Sequence, residues 1–178
     1  MKRTLICGLF VALATFAGAA PVHAQSVIQI VDSIDDASLW TPDGTRSPFF
    51  SAGFETNVFP FTAPHNAWVM FGSGSSSSDW GTLGRNVRVS TIFPGSRLHT
   101  CNASIKVTGS GFFEAIDTAT WTYLTPKVNF TGTNGTYKTV WLTQWDAIRP
   151  NMFFRVGVSG GGSQHWVRFD DLVLSCVR

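Results

Sequence analysis

The sequence predicts an all-β protein, a jelly-roll β-sandwich of two antiparallel sheets with about eight strands. Two observations carry this expectation. Beyond residue 24, no long stretch repeats its apolar residues with helical spacing. Short runs rich in Val, Ile, Phe, Trp and Thr recur instead, between clusters of Gly, Ser, Asn and Pro.

In chain order, residues 1–24 read as a secretory signal peptide. Lys2 and Arg3 precede an apolar run from Leu5 to Ala20, and Val22-His23-Ala24 supplies the small outer residues of a cleavage site. The protein is therefore expected to be secreted or periplasmic in a bacterial cell, with 25–178 as a single domain. Strands are expected at 27–33, 67–72, 85–92, 98–108, 120–130, 137–145, 152–159 and 166–177. Pro94-Gly95 reads as a tight turn, and Asn134-Gly135 is a hairpin signal. The stretches GSGSSSSD (72–79) and SGGGSQ (159–164) read as flexible surface loops. Segment 42–64 holds Phe49, Phe50, Phe54, Phe59 and Phe61, and reads as a long irregular cover over one end of the sandwich.

Charge removes several functions. The chain carries 13 Lys and Arg against 11 Asp and Glu, and losing Lys2 and Arg3 brings the two into balance. No basic stripe marks a nucleic-acid partner, and no further apolar run is long enough to enter a membrane. Of three cysteines, Cys7 leaves with the signal peptide. Cys101 and Cys176 then read as one disulfide in an exported chain, with two buried thiols as the alternative.

Several stretches stand in a familiar order: NAWVMFGSG, then WGTLGRNVRVSTIFPGSRLHTCNASIKV, then MFFRVGVSGGGSQHWVRFDDLVLSC. From Asn66 onward the chain resembles the CenC-type carbohydrate-binding modules of the galactose-binding-like jelly-roll superfamily. The terminal Asp170-Asp171-Leu172-Val173-Leu174 matches that family's closing signature. The opening SVIQIVDSIDDASLW does not reproduce the family's first strand. The resemblance implies that Asp170 holds a structural calcium ion or a buried polar network near the first strand. Asp32, Asp35 and Asp36 are the carboxylates available to share a metal. Without a metal, Asp170 would pair with an arginine or with loop backbone. Strand alternation puts Asp170 on one face with Leu172, Leu174 and Cys176, and Asp171 on the other. The resemblance also implies that the strands carrying Cys101 and Cys176 are neighbours.

The candidate ligand site is aromatic. Seven tryptophans are dense for this length, and flat rings stack on sugar faces. In YKTVWLTQWD, Tyr137, Trp141 and Trp145 alternate with Val140 and Leu142. If the aliphatic pair faces the core, the rings form a surface platform with Gln144 beside it, and Asp146 and Arg149 near its end; otherwise the rings are core. Trp80, beside the Ser-rich loop, is a second candidate. No catalytic constellation is evident: His65, His99 and His165 lack metal-ligand or triad spacing, and Glu114 and Asp117 read as solvated loop carboxylates. The expected function is non-catalytic carbohydrate binding with no required cofactor. The alternatives are a structural or adhesive envelope protein and a polysaccharide-degrading jelly-roll enzyme.

Overall fold

A computed structural model describes residues 27–45, 47–56, 61, 65–88, 99–132, 135–147 and 151–177. The signal segment, the Pro94-Gly95 turn, Asn134 and Arg149 lie outside them. The described chain is all strand apart from turns and one 3-10 turn at Ala37–Leu39. Its strands are β1 (Val27–Asp32), β2 (Trp40–Gly44), β3 (Phe50–Thr56), β4 (His65–Phe71), β5 (Trp80–Arg88), β6 (His99–Gly109) and β7 (Gly111–Asp117). They continue as β8 (Thr122–Tyr123), β9 (Val128–Phe130), β10 (Lys138–Trp141), β11 (Trp145–Ala147), β12 (Asn151–Ser159) and β13 (His165–Val177).

Two antiparallel sheets result. The first runs β10-β6-β13-β4-β3, with β11 following β10 along β6 and β1 following β4 along β13. The second runs β2-β5-β12-β7-β8, with β9 also on β7. Their facing sides make one core. Alternate residues of β6 (Cys101, Ala103, Ile105, Val107) meet alternate residues of β12 (Met152, Phe154, Val156, Val158), as a half-buried strand requires. Trp40 closes on Phe169 at 5.3 Å between ring centres, and Trp145 on Phe154 at 6.1 Å.

The β-sandwich agrees with the sequence expectation, but three strands were not foreseen. β2 and β3 lie within or across the start of the segment read as irregular cover, and β7 falls in a stretch read as loop. The expected strand at 120–130 is two short strands, β8 and β9. The Gly/Ser loops are laced together rather than loose: Gly74 N donates to Gly162 O, Gly162 N to Ser75 O, and Gly160 N to Asp79 O.

Cys101 and Cys176 are directly opposed in the β6–β13 ladder and form a disulfide with Cα atoms 4.1 Å apart. Farther along the same ladder, pairing shifts register between Asp170 and Val173, a β-bulge, and Asp171 takes φ 46°. Before the bulge Val167 and Phe169 face the core; after it Leu172, Leu174 and Cys176 do. Asp170 pairs with Lys106, whose neighbours Ile105 and Val107 point inward. Directly opposed residues share a face, so Asp170 belongs with Arg168 on the outer side. It is fully buried, as the sequence suggested, but it does not share a face with Leu172, Leu174 and Cys176. The extra residue of the bulge resets the alternation.

Candidate functional site

The outer face of the second sheet is where buried charge and aromatic rings converge. Four successive cross-strand rows build it. Trp80 opposes Ser159; Asp43, Thr82, Gly157 and Phe112 form the next row; then Thr41, Gly84, Arg155 and Glu114; then Asn86, Phe153, Ile116 and Tyr123. Rows on one face lie two residues apart, so the first and last are separated by about 20 Å along the strands. Phe112, Ile116 and Phe153 are buried yet stand apart from the core cluster.

Glycine lowers the middle of this surface. A Cβ on Gly157 would come within 2.4 Å of the Gly81 carbonyl oxygen, and one on Gly84 would strike the Phe153 ring at 2.1 Å. The result is an open groove of about 330 Å³, lined by Trp80, Glu114, Tyr123, Lys127 and Arg155 and rimmed by Ser77, Ser78 and Asp79. The rim is fixed by hydrogen bonds: Ser76 N donates to Asp79 Oδ2 at 2.9 Å, and the Ser76 and Ser78 hydroxyls meet at 2.9 Å.

Arg155 organises the floor. Its Nη2 lies 2.5 Å from Glu114 Oε1 and its Nη1 lies 3.0 Å from Asp43 Oδ2. The guanidinium also sits 5.1 Å over the Trp80 ring. Lys127 caps Phe112 at 4.7 Å. Glu114 is only 2% exposed, and burial holds its carboxyl above the ordinary carboxylate range against the opposing pull of Arg155. Tyr123, by contrast, is 61% exposed and offers a ring face to solvent. The site therefore presents an aromatic at each end and fixed donors and acceptors between, suited to a ligand with apolar faces and hydroxyl edges.

The residues singled out from sequence are divided among three places. Trp80 is in the groove. Tyr137, Trp141 and Gln144 lie along the far edge of the first sheet, with Trp141 and Gln144 exposed. Trp145 is in the core, 6% exposed, so the three-ring platform does not form. Trp141 opposes Ser104 and Trp145 opposes Cys101, so four steps on one strand span three on the other. That extra residue turns Trp145 inward while Val140 and Leu142 stay buried.

The carboxylates considered for a metal are also dispersed. Asp32 meets Arg85 Nε at 2.6 Å and accepts from Ile34 N at 2.9 Å. Asp35 pairs with His65 at 3.6 Å and accepts from the Ser33 hydroxyl. Asp36 caps the 3-10 turn, and its bonds from the Ser38 hydroxyl and amide hold its carboxyl below the ordinary range. Asp170 accepts from Asp171 N at 2.8 Å. Among the described residues, no three His, Cys, Asp or Glu side chains are grouped to hold a metal ion.

Glu114 and Asp117, read from sequence as solvated loop carboxylates, are buried in β7 and, three residues apart, fall on opposite faces of that strand. Glu114, Arg155, Asp43 and Tyr123 were not foreseen as site residues. A signal was present: GFFEAID and MFFRVGV carry opposite charges one place after Phe-Phe, as two paired strands would.

No family model matches the sequence, and no curated protein matches it. Solved structures do match its fold. The family 11 carbohydrate-binding module of a cellulosomal cellulase of Clostridium thermocellum superposes with TM-score 0.52 at 10% identity, covering 84% of this chain and 95% of that one. The K1 cleaved adhesin domain of Lys-gingipain from Porphyromonas gingivalis gives TM-score 0.53 at 10% identity, covering 83% and 97%. An arabinose-bound α-L-arabinofuranosidase gives TM-score 0.53 at 16% identity, covering 78% of this chain and 23% of that one. The chain thus shares its two-sheet β-sandwich fold with these three structures, and it spans about a quarter of the arabinofuranosidase it matches. Among the described residues, no helix is long and apolar enough to cross a membrane.

Proposed function

We propose that this chain is a secreted, non-catalytic carbohydrate-binding protein whose sugar site is the groove between Trp80 and Tyr123. The observation that carries the reading is the Asp43–Arg155–Glu114 cluster, in which Arg155 and Glu114 are buried beneath those rings and Asp43 reaches them from a partly exposed position. Taking charges out of water is expensive. Here the charges sit on an outer sheet face, where packing against the core does not demand them. They supply fixed hydrogen-bonding groups for sugar hydroxyls, and the rings supply stacking surface. The shared fold with a family 11 carbohydrate-binding module supports this reading, and the disulfide supports an oxidising compartment. Glycosidic cleavage would ask for two carboxyl groups flanking a bond. Glu114 and Asp43 instead grip one guanidinium, which favours binding over hydrolysis.

A glycan array tests the proposal. The protein is expected to retain at least one polysaccharide, and Tyr123→Ala and Trp80→Ala are each expected to weaken binding roughly tenfold. Undiminished binding by both variants would remove the groove. An array with no bound glycan would favour the structural or adhesive reading instead.

A further inference from the structure

The outer face of the first sheet repeats the groove's chemistry with different residues. Gly53, Trp68, Arg168 and Thr108 form one cross-strand row, and Ser51, Met70 and Trp166 form another. Their strand neighbours Ala67, Val69, Phe71, Val167 and Phe169 are core residues, so these side chains point away from the core. A Cβ on Gly53 would lie 3.1 Å from the Trp68 ring, so that ring rests close over β3. Arg168 Nε meets Glu55 Oε2 at 3.0 Å, and its guanidinium sits 5.1 Å over the Trp166 ring. Gln164 Nε2 donates to the Met70 sulfur at 3.0 Å and forms one wall. Together they line an open pocket of about 280 Å³.

From this geometry we infer a second saccharide site on the first sheet, independent of the groove, so that one molecule bridges two glycan chains. The inference rests on the sugar-binding reading above. The pocket pairs tryptophan rings with an arginine–glutamate ion pair, as the groove does. Its two charges neutralise each other, which favours a neutral, hydroxyl-rich ligand over an anion. The two sites share no residue and lie on opposite outer faces, with the whole core between them. A chain stacked in one does not reach the other, so occupancy of both links separate chains.

Native gels cast with soluble xylan, β-glucan or galactan, together with turbidity of the same mixtures, test the inference. The unaltered protein is expected to be retarded by at least one polysaccharide and to make it turbid. Trp166→Ala, with Trp166→Leu as a variant that keeps more packing, is expected to retain retardation through the groove and to lose turbidity. Tyr123→Ala is expected to lose turbidity from the other face, and the double variant to lose both signals. Unchanged turbidity in both folded Trp166 variants overturns the second site and leaves the groove standing. Retardation abolished by the Trp166 variants and untouched by Tyr123→Ala overturns the groove and the bridging together, leaving this pocket as the single site. No retardation by any of the three overturns both readings.

Discussion

Arg155 and Glu114 face each other across the β12–β7 ladder, and their charged ends meet 2.5 Å apart on the side of the sheet away from the core. A cation shared by two carboxylates is held rigidly, and every variant of the trio disturbs the other two members.

The first prediction concerns pH. Burial raises the Glu114 carboxyl, so the folded chain keeps that proton to a higher pH than the unfolded chain does. The associated stability is fully present below the ordinary carboxylate range and is lost as pH rises through the raised value. Glu114→Gln has no such titration. The melting temperature of the unaltered protein minus that of Glu114→Gln is therefore expected to fall between acid and neutral pH. A difference that is flat or grows with pH would contradict the direction of the shift.

The second prediction separates the two tryptophans of YKTVWLTQWD. Trp145 is 6% exposed against Phe154, and Trp141 is 60% exposed. Trp145→Ala should lower unfolding free energy by about 3–5 kcal/mol. Trp141→Ala should stay within about 0.5 kcal/mol. Urea unfolding of the two variants decides, and equal losses would return Trp145 to the surface.

These two residues also mark where sequence reading stops. Runs rich in Val, Ile, Phe, Trp and Thr identified β1, β4, β6, β12 and β13, each of which has one face against the core. Alternation left open whether Val140 and Leu142 or the three rings of that stretch face inward, and the structure buries Val140 and Leu142. Alternation failed past Leu142 and past Asp170, where a single extra residue resets the pattern, and nothing in composition announces such a residue. β7 escaped notice for another reason: it is a short GFFEAID stretch whose Glu114 and Asp117 read as loop carboxylates, although both its faces are buried. The groove was hidden with it. Trp80 was visible from its place beside the Ser-rich loop, but its partner Arg155 is 75 residues away and Asp43 lies in a strand read as irregular cover.

The third prediction concerns the disulfide. Cys101 and Cys176 are separated by 75 residues, and the loop-closure estimate for that length is about 4 kcal/mol at room temperature. Mass spectrometry without reductant should find the two joined. The Cys101→Ala/Cys176→Ala variant should melt roughly 10 °C lower. A reducing agent should then lower the melting point of the unaltered protein and leave that of the variant unchanged.

The last prediction ties the backbone to the groove. Gly157 lies between β5 and β7, and an added Cβ would come within 2.4 Å of both the Gly81 carbonyl oxygen and a Thr82 methyl. The obstacle is partly backbone of the paired strand, so no side-chain rotation relieves it. Gly157→Ala should cost roughly 2 kcal/mol, as overpacking of a tight site does. It should also weaken polysaccharide binding, because relief requires β5 to shift and β5 carries Trp80. Gly72 makes the contrast, since its nearest neighbour would be 3.8 Å from an added Cβ. Gly72→Ala should leave stability within about 0.5 kcal/mol and binding intact. If Gly157→Ala proved as mild as Gly72→Ala in both stability and binding, the close approach of β5 and β12 at the groove floor would be wrong, and with it the shape assigned to the site.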